Sequence, residues 1–335
     1  MKRNMLAKMI AVAAMSVPTS AALANGEPGT TVSMCAGQSL DIGDVNVWND
    51  DTNLYVEFDI TTDGWYLEET HVAAGTFPTT KKGNPIPGQL PYSCELLSPH
   101  TDLATSCMVT IPLEGLNGPY VDIAAHAAVI NVAGDGCGSV TFYATSVEDE
   151  DQGLRKNGTL VLPERSIPEE AFEPGIAQTS PGFYSLGFGG SLTVGFSAPV
   201  FNGPGHDVCV QEVTIGRGSY PEEKADVLAV EEDTEYLAGT VTNKDNGTGL
   251  GCVGLPSSLS TAEAIKVEDM TDSALHNSTA DAYDIDSIGA CWLYMGDETA
   301  WGGACYEGEG TRFVDKGSWG TYFEYEIIEI MTSPE

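Results

Sequence analysis

Between Asp44 and Ile60 apolar and polar residues alternate with a period of two, through Asp44-Val45-Asn46-Val47-Trp48 and again through Leu54-Tyr55-Val56-Glu57-Phe58-Asp59-Ile60. The polar stretch Asn49-Asp50-Asp51-Thr52-Asn53 separates the two runs, so the pattern predicts two strands of a hairpin, each with one buried face. Similar short runs recur at Trp65–Val72, Ser106–Pro112, Val121–Ile130, Ser139–Thr145, Ser191–Phe196, Asp207–Thr214, Ala225–Ala229, Ala264–Asp269, Asp286–Ile288 and Gly320–Ile330. No stretch of about twelve residues carries a convincing amphipathic helical period, and 38 Gly and 18 Pro supply turns between the runs. The expectation is an all-β chain built of two β-sandwich, jelly-roll-like domains.

The division into two comes from the middle of the chain. Residues 146 to 182 open on the acidic run Glu148-Asp149-Glu150-Asp151, are rich in proline, and carry the only helix-start signal, Pro168-Glu169-Glu170-Ala171. Strand-like runs resume at Phe183. We therefore expect a discontinuous sandwich of residues 25–150 plus 291–335, a linker at 151–164, and a second sandwich, 165–290, inserted into the first. Insertion suits sandwiches, whose loops accept whole domains.

Charge and the N-terminus bound the setting. With 49 Asp and Glu against 14 Lys and Arg, the formal net charge is -35, which argues against nucleic acid and anionic membrane surfaces as partners. Lys2, Arg3 and Lys8, the apolar stretch Met9–Met15 and Ala22-Leu23-Ala24 read as a signal peptide, residues 1–24, cleaved after Ala24. The apolar stretch is too short to span a bilayer, and no second span or C-terminal anchor is expected, so no membrane insertion is expected. The expected location is extracellular or at the cell surface. Eight cysteines fit an oxidising compartment: Cys35, Cys94, Cys107, Cys137, Cys209, Cys252, Cys291 and Cys305. Proximity along the chain suggests Cys94–Cys107 and Cys291–Cys305, leaving Cys209–Cys252 and Cys35–Cys137. No C-x-x-C pair is present to suggest a metal-thiolate site.

Two stretches carry a resemblance. Residues 45–88, with VWNDDTNLYVEF, TTDGWYLEETHV and KKGNPIPGQ, together with Trp319-Gly320-Thr321-Tyr322-Phe323-Glu324-Tyr325, resemble a module that recurs in secreted and cell-surface proteins of bacteria and archaea without an assigned activity. Residues 165–290, with FYSLGFGG from Phe183, Asn202-Gly203-Pro204-Gly205-His206-Asp207 and Ala282-Tyr283-Asp284-Ile285-Asp286, are similar to galactose-binding-like (discoidin-type) jelly rolls, which commonly bind glycans and calcium. The resemblance implies a calcium site. The oxygen-rich candidates are Asp207, Glu212, Asp281, Asp284 and Asp286, carboxylates near turns, as calcium requires. No EF-hand loop is present.

His71 and His126 lie in expected strands, where two imidazoles could hold a transition metal or simply pack. Aromatic rings that could stack on a sugar face are Trp65, Tyr66, Trp301 and Tyr283, with Trp65 and Trp301 expected at the surface and Trp48 and Trp319 in the core. The chain has no G-x-S-x-G, H-E-x-x-H or P-loop. Catalysis is left open, with no catalytic residue assigned. The leading expectation is a secreted protein that binds glycan or another matrix or surface component and serves adhesion, with structural calcium. The alternatives are a polysaccharide lyase or hydrolase using acids in a groove between the domains, and a structural subunit of an extracellular assembly.

Overall fold

A computed structural model describes residues 29–99, 101–137, 142–172, 182–214 and 220–329. The expected signal peptide, the start of the expected strand at Ser139 and the residues from Ile330 onward lie outside the described residues. In chain order the strands are β1 (Thr30–Ala36), β2 (Leu40–Asn49), β3 (Asn53–Ile60), β4 (Trp65–Ala74), β5 (Ser106–Pro112), β6 (Tyr120–Gly134), β7 (Phe142–Tyr143), β8 (Ser146–Asp151), β9 (Tyr184–Ser185) and β10 (Ser191–Phe201). They continue with β11 (Val208–Glu212), β12 (Lys224–Glu231), β13 (Thr234–Thr242), β14 (Leu250–Val253), β15 (Thr261–Asp269), β16 (Asp284–Ala290), β17 (Trp292–Gly302), β18 (Thr311–Arg312) and β19 (Thr321–Glu326). The only helical elements among the described residues are short 3-10 turns, one of them at Pro168–Ala171 where the helix-start signal stood. Among those residues no helix is long and apolar enough to cross a membrane.

The chain is all-β, and its apolar side chains divide into two large cores. The first is formed by Val45, Val47, Leu54, Val56 and Phe58 of the expected hairpin with Ile123, Val129, Ala300, Phe323 and Tyr325. A single antiparallel run, β5-β3-β2-β1-β17-β6-β4, folds around it, with β19 also on β6. The second core lies between two sheets, β13-β12-β15-β10 and β14-β11-β16, and collects Val194, Val227 and Ile265 from one and Val210, Ile285 and Ile288 from the other.

Strand β17 serves both cores. Leu293 pairs with Val200 of β10 and belongs to the second core, whereas Ala300 to Gly302 pair with β1 and Ala300 belongs to the first. Between them sits a smaller cluster of Ile130, Val132, Phe201, Cys209, Cys291 and Trp292. The acidic run Glu148–Asp151 forms part of β8, which pairs with β10, its acids exposed along a sheet edge.

All eight cysteines are paired: Cys94–Cys107 and Cys209–Cys252 as expected, Cys35–Cys305 and Cys137–Cys291 in place of the other two expected pairs. The reason is the sheet order. Strand β1 pairs with β17 so that Cys35 faces Trp301, which brings Cys305, three residues past the end of that strand, against Cys35. Cys291, the residue before β17, is left beside Cys137, which follows β6.

Candidate functional site

The seam between the cores carries a cavity of about 340 Å³. Its walls follow from strand register. Asp297 of β17 stands opposite Ile130 of β6, and paired residues of an antiparallel sheet project to one face. Phe201 of β10 and Thr261 of β15, also paired, close the other side. Ile130 and Phe201 are buried and form an apolar floor. Tyr294 stacks parallel to Phe201, centroids 6.4 Å apart, and is only half-buried. Around it stand exposed Glu68, Asp297 and Ser260.

The Tyr294 hydroxyl donates to Asp297 Oδ1 at 2.5 Å. Burial, that bond and the nearby Glu68 charge push the phenol up to about 12, so it remains a donor at any physiological pH. A second hollow of about 300 Å³ opens on the same sheet and is lined by Asp63, Trp65, Tyr66 and Thr105.

The aromatic residues expected to meet a ligand therefore separate. Trp65 and Tyr66 line the second hollow. Trp301, expected at the surface, is only 4% exposed: it faces His126 across the sheet, edge-on with ring centroids 4.8 Å apart, and packs on Phe313. Gly320, on the neighbouring strand segment, makes room for the ring, because a Cβ there would lie 3.0 Å from Trp301 Cζ2. Tyr283 is fully buried in the second core. Neither ring can stack on a ligand from solvent. Tyr294, Phe201, Glu68 and Asp297 were not singled out in the sequence; the apolar run Trp292-Leu293-Tyr294-Met295 signals a strand for Tyr294 alone and is cut short by the glycine and acids that follow.

The five carboxylates expected to hold calcium do not converge as one set. Asp207 and Glu212 bracket β11, whose span at strand rise separates them by roughly 16 Å. Asp207 is fully buried, and its carboxylate accepts the Gly203 and Leu255 N–H groups, which fastens two loops. Asp281 holds Arg165 Nη1 through both oxygens, at 3.1 and 2.9 Å. Asp284 accepts from the Ser185 hydroxyl, and its carboxyl is pushed up to about 8 by burial and then by the Asp281 charge. Asp286 is raised by burial alone.

What the fold gathers at the far end of β11 is a different group. Thr214 Oγ1 lies 2.5 Å from Glu212 Oε1 and 3.0 Å from Glu223 Oε2, and the Tyr220 hydroxyl donates to Glu223 Oε1 at 3.0 Å. Both glutamates are fully buried and both carboxyls are raised, Glu223 by burial, Asp284 and Glu212, and Glu212 by burial. Ala282, between Asp281 and Tyr283, has a φ of 64°, a left-handed conformation that a residue with a side chain seldom adopts. Glu223 and His276, which border this nest, were not among the expected site residues.

The sulfurs of Cys137 and Cys209 lie 3.2 Å apart where two disulfides meet. Sulfurs already bonded to sulfur are not the thiolates a metal needs.

No family model matches the chain, and no curated protein matches it. Among solved structures, a carbohydrate-binding module described as GH31 CBM32-2 bound to GalNAc aligns with 48% of this chain and 97% of its own length, at 11% identity and a TM-score of 0.22. A SusE-like protein aligns with 76% of this chain and 96% of its own, at 10% identity and a TM-score of 0.29. Similarities this low leave the site to be argued from this chain's own residues.

Proposed function

We propose that the protein is a secreted or cell-surface glycan-binding protein that holds a neutral oligosaccharide in the seam cavity. The observation that carries this reading is the half-buried Tyr294 ring over an apolar floor, ringed by Glu68, Asp297, Ser260 and Thr261. A pyranose presents an apolar face and a rim of hydroxyls. Aromatic rings suit the first, and carboxylates and side-chain hydroxyls the second. The cavity volume of about 340 Å³ is at the small end of the ligand-site range. The net charge of -35, with two acids on the rim, disfavours uronic-acid or sulfated glycans. Four disulfides agree with an oxidising, extracellular setting.

A glycan array probed with the whole protein tests this. Binding should concentrate on neutral glycans and fall at least tenfold, about 1.4 kcal/mol, in Tyr294→Ala. Retention of sulfated glycans, or identical profiles for the two proteins, would contradict the reading. Glu68 and Asp297 on one cavity favour a second reading, hydrolysis by paired carboxylates. Release of reducing ends from the bound glycan, abolished in Glu68→Gln, would support it over simple binding.

A further inference from the structure

The seam cavity and the second hollow meet at one cross-strand pair. Ile130 of β6 stands in the wall of the cavity, and its partner on β4, Tyr66, stands in the wall of the hollow. Glu68, two residues beyond Tyr66 on β4, returns to the cavity. Tyr66 and Tyr294 rest on one apolar cluster, because their respective partners on β6, Ile130 and Val132, both belong to it. Residues two apart on a strand share a face, so the two half-buried phenol rings stand on the same side of the sheet. Two strand spacings across and two residues of strand rise along set their Cα atoms roughly 12 Å apart. Rings that far apart lie beyond the ring-to-ring span of a disaccharide and suit a longer chain.

The hollow repeats the chemistry of the cavity. It has an aromatic wall, Trp65 and Tyr66, and a polar rim of exposed Thr61, Thr62, Asp63 and Thr105. Its lip is held by main chain: Gly64, at a φ of 81°, turns the chain into β4, and its carbonyl accepts the Val132 N–H and the Asn131 side-chain amide, which ties the lip to β6. Burial and then the Asp63 charge push the Tyr66 phenol up, so this ring too remains a donor. At about 300 Å³ beside about 340 Å³, the hollow has nearly the room of the cavity. We infer that the two are consecutive subsites for one linear, neutral glycan chain longer than a disaccharide, with Tyr294 and Tyr66 each under one of its sugars. The inference rests on the seam cavity being the glycan site. Asp63 at one subsite and Glu68 and Asp297 at the other extend the preference for uncharged chains along the whole path.

Linear oligosaccharides of glucose, mannose, galactose and N-acetylglucosamine, each as a disaccharide and as a hexasaccharide, are titrated calorimetrically into the whole protein, into Tyr294→Ala and into Tyr66→Ala. In the series that binds, the hexasaccharide should bind about thirtyfold more tightly than the disaccharide, beyond the few-fold that its additional registers supply. Tyr66→Ala should lower hexasaccharide affinity at least tenfold more than disaccharide affinity, whereas Tyr294→Ala should weaken both. Because Tyr66 is half-buried and its loss can disturb the fold, Thr105→Trp, which fills the hollow from an exposed position, should remove the same advantage. Equal affinities for the two lengths, or a hexasaccharide advantage that survives both hollow variants, would overturn the inference, and sensitivity to Tyr294→Ala would still uphold the seam site. Binding untouched by Tyr294→Ala, or no binding in any series, would overturn the seam reading and this inference with it.

Discussion

Asp284 and His126 place opposite pH dependences in the same fold. The folded value of Asp284, about 8, lies above its ordinary 3.8, so the folded chain keeps a proton that the unfolded chain loses. That contribution is complete below about 4 and is lost as pH rises towards 8. His126 is depressed to about 4 from 6.5 by burial and by His71, so its contribution is present above 6.5 and is lost as pH falls to 4. In urea unfolding, Asp284→Asn should therefore flatten the alkaline limb and exceed the unaltered protein by roughly 1 to 2 kcal/mol at pH 9. An unchanged alkaline limb would remove Asp284 as its source. His126→Phe should flatten only the acid limb, as its place against Trp301 suits a ring. At this scale Glu212, Asp281 and Asp284 were singled out because Glu212 lies inside the expected strand Asp207–Thr214 and the other two just before the expected strand Asp286–Ile288. Glu223 and His276 were not: they come from turns between strands, and only the pairing of β11, β12 and β16 with their neighbours brings them together. Trp301 was read as exposed because its local sequence says nothing of His126, the residue across the sheet.

The strands with an unbroken period of two were the ones visible in advance. Both hairpin strands were found, and β5 matches its expected bounds, Ser106–Pro112. β17 escaped because a register shift between Tyr294 and Gly296 interrupts its alternation, and because its two ends face different cores. β8 escaped because four acids in a row carry no apolar face, yet as an edge strand it needs none. The glycine-rich Gly187-Phe188-Gly189-Gly190 turn likewise has a structural reason. Gly187 has a φ of 71°, and a Cβ there would lie 2.5 Å from the Gly153 backbone. Its N–H donates to the Asp281 carbonyl, which ties the turn to the nest. Gly187→Ala should cost more than about 2 kcal/mol in denaturant unfolding. A loss below about 0.5 kcal/mol would show that the turn relaxes freely.

Over the whole molecule, 49 acids against 14 bases repel one another in the compact state more than in the unfolded chain. The thermal midpoint should rise as sodium chloride is raised from about 0.01 to 0.5 M, where the screening length falls several-fold. A flat response would mean that the acids are already compensated. The all-β class was legible because strand alternation is local. The seam was not, since its cavity is made by side chains from β10, β15 and β17 that no single stretch of sequence joins. That cavity holds the central claim, and calorimetric titration tests it most directly. A neutral oligosaccharide selected on the array is titrated into the unaltered protein and into Tyr294→Ala, with Tyr306→Ala as the exposed-ring control. Saturable binding to the unaltered protein and to Tyr306→Ala, weakened at least tenfold in Tyr294→Ala, is the predicted result. Equal affinity for all three proteins would contradict the assignment of the seam as the glycan site.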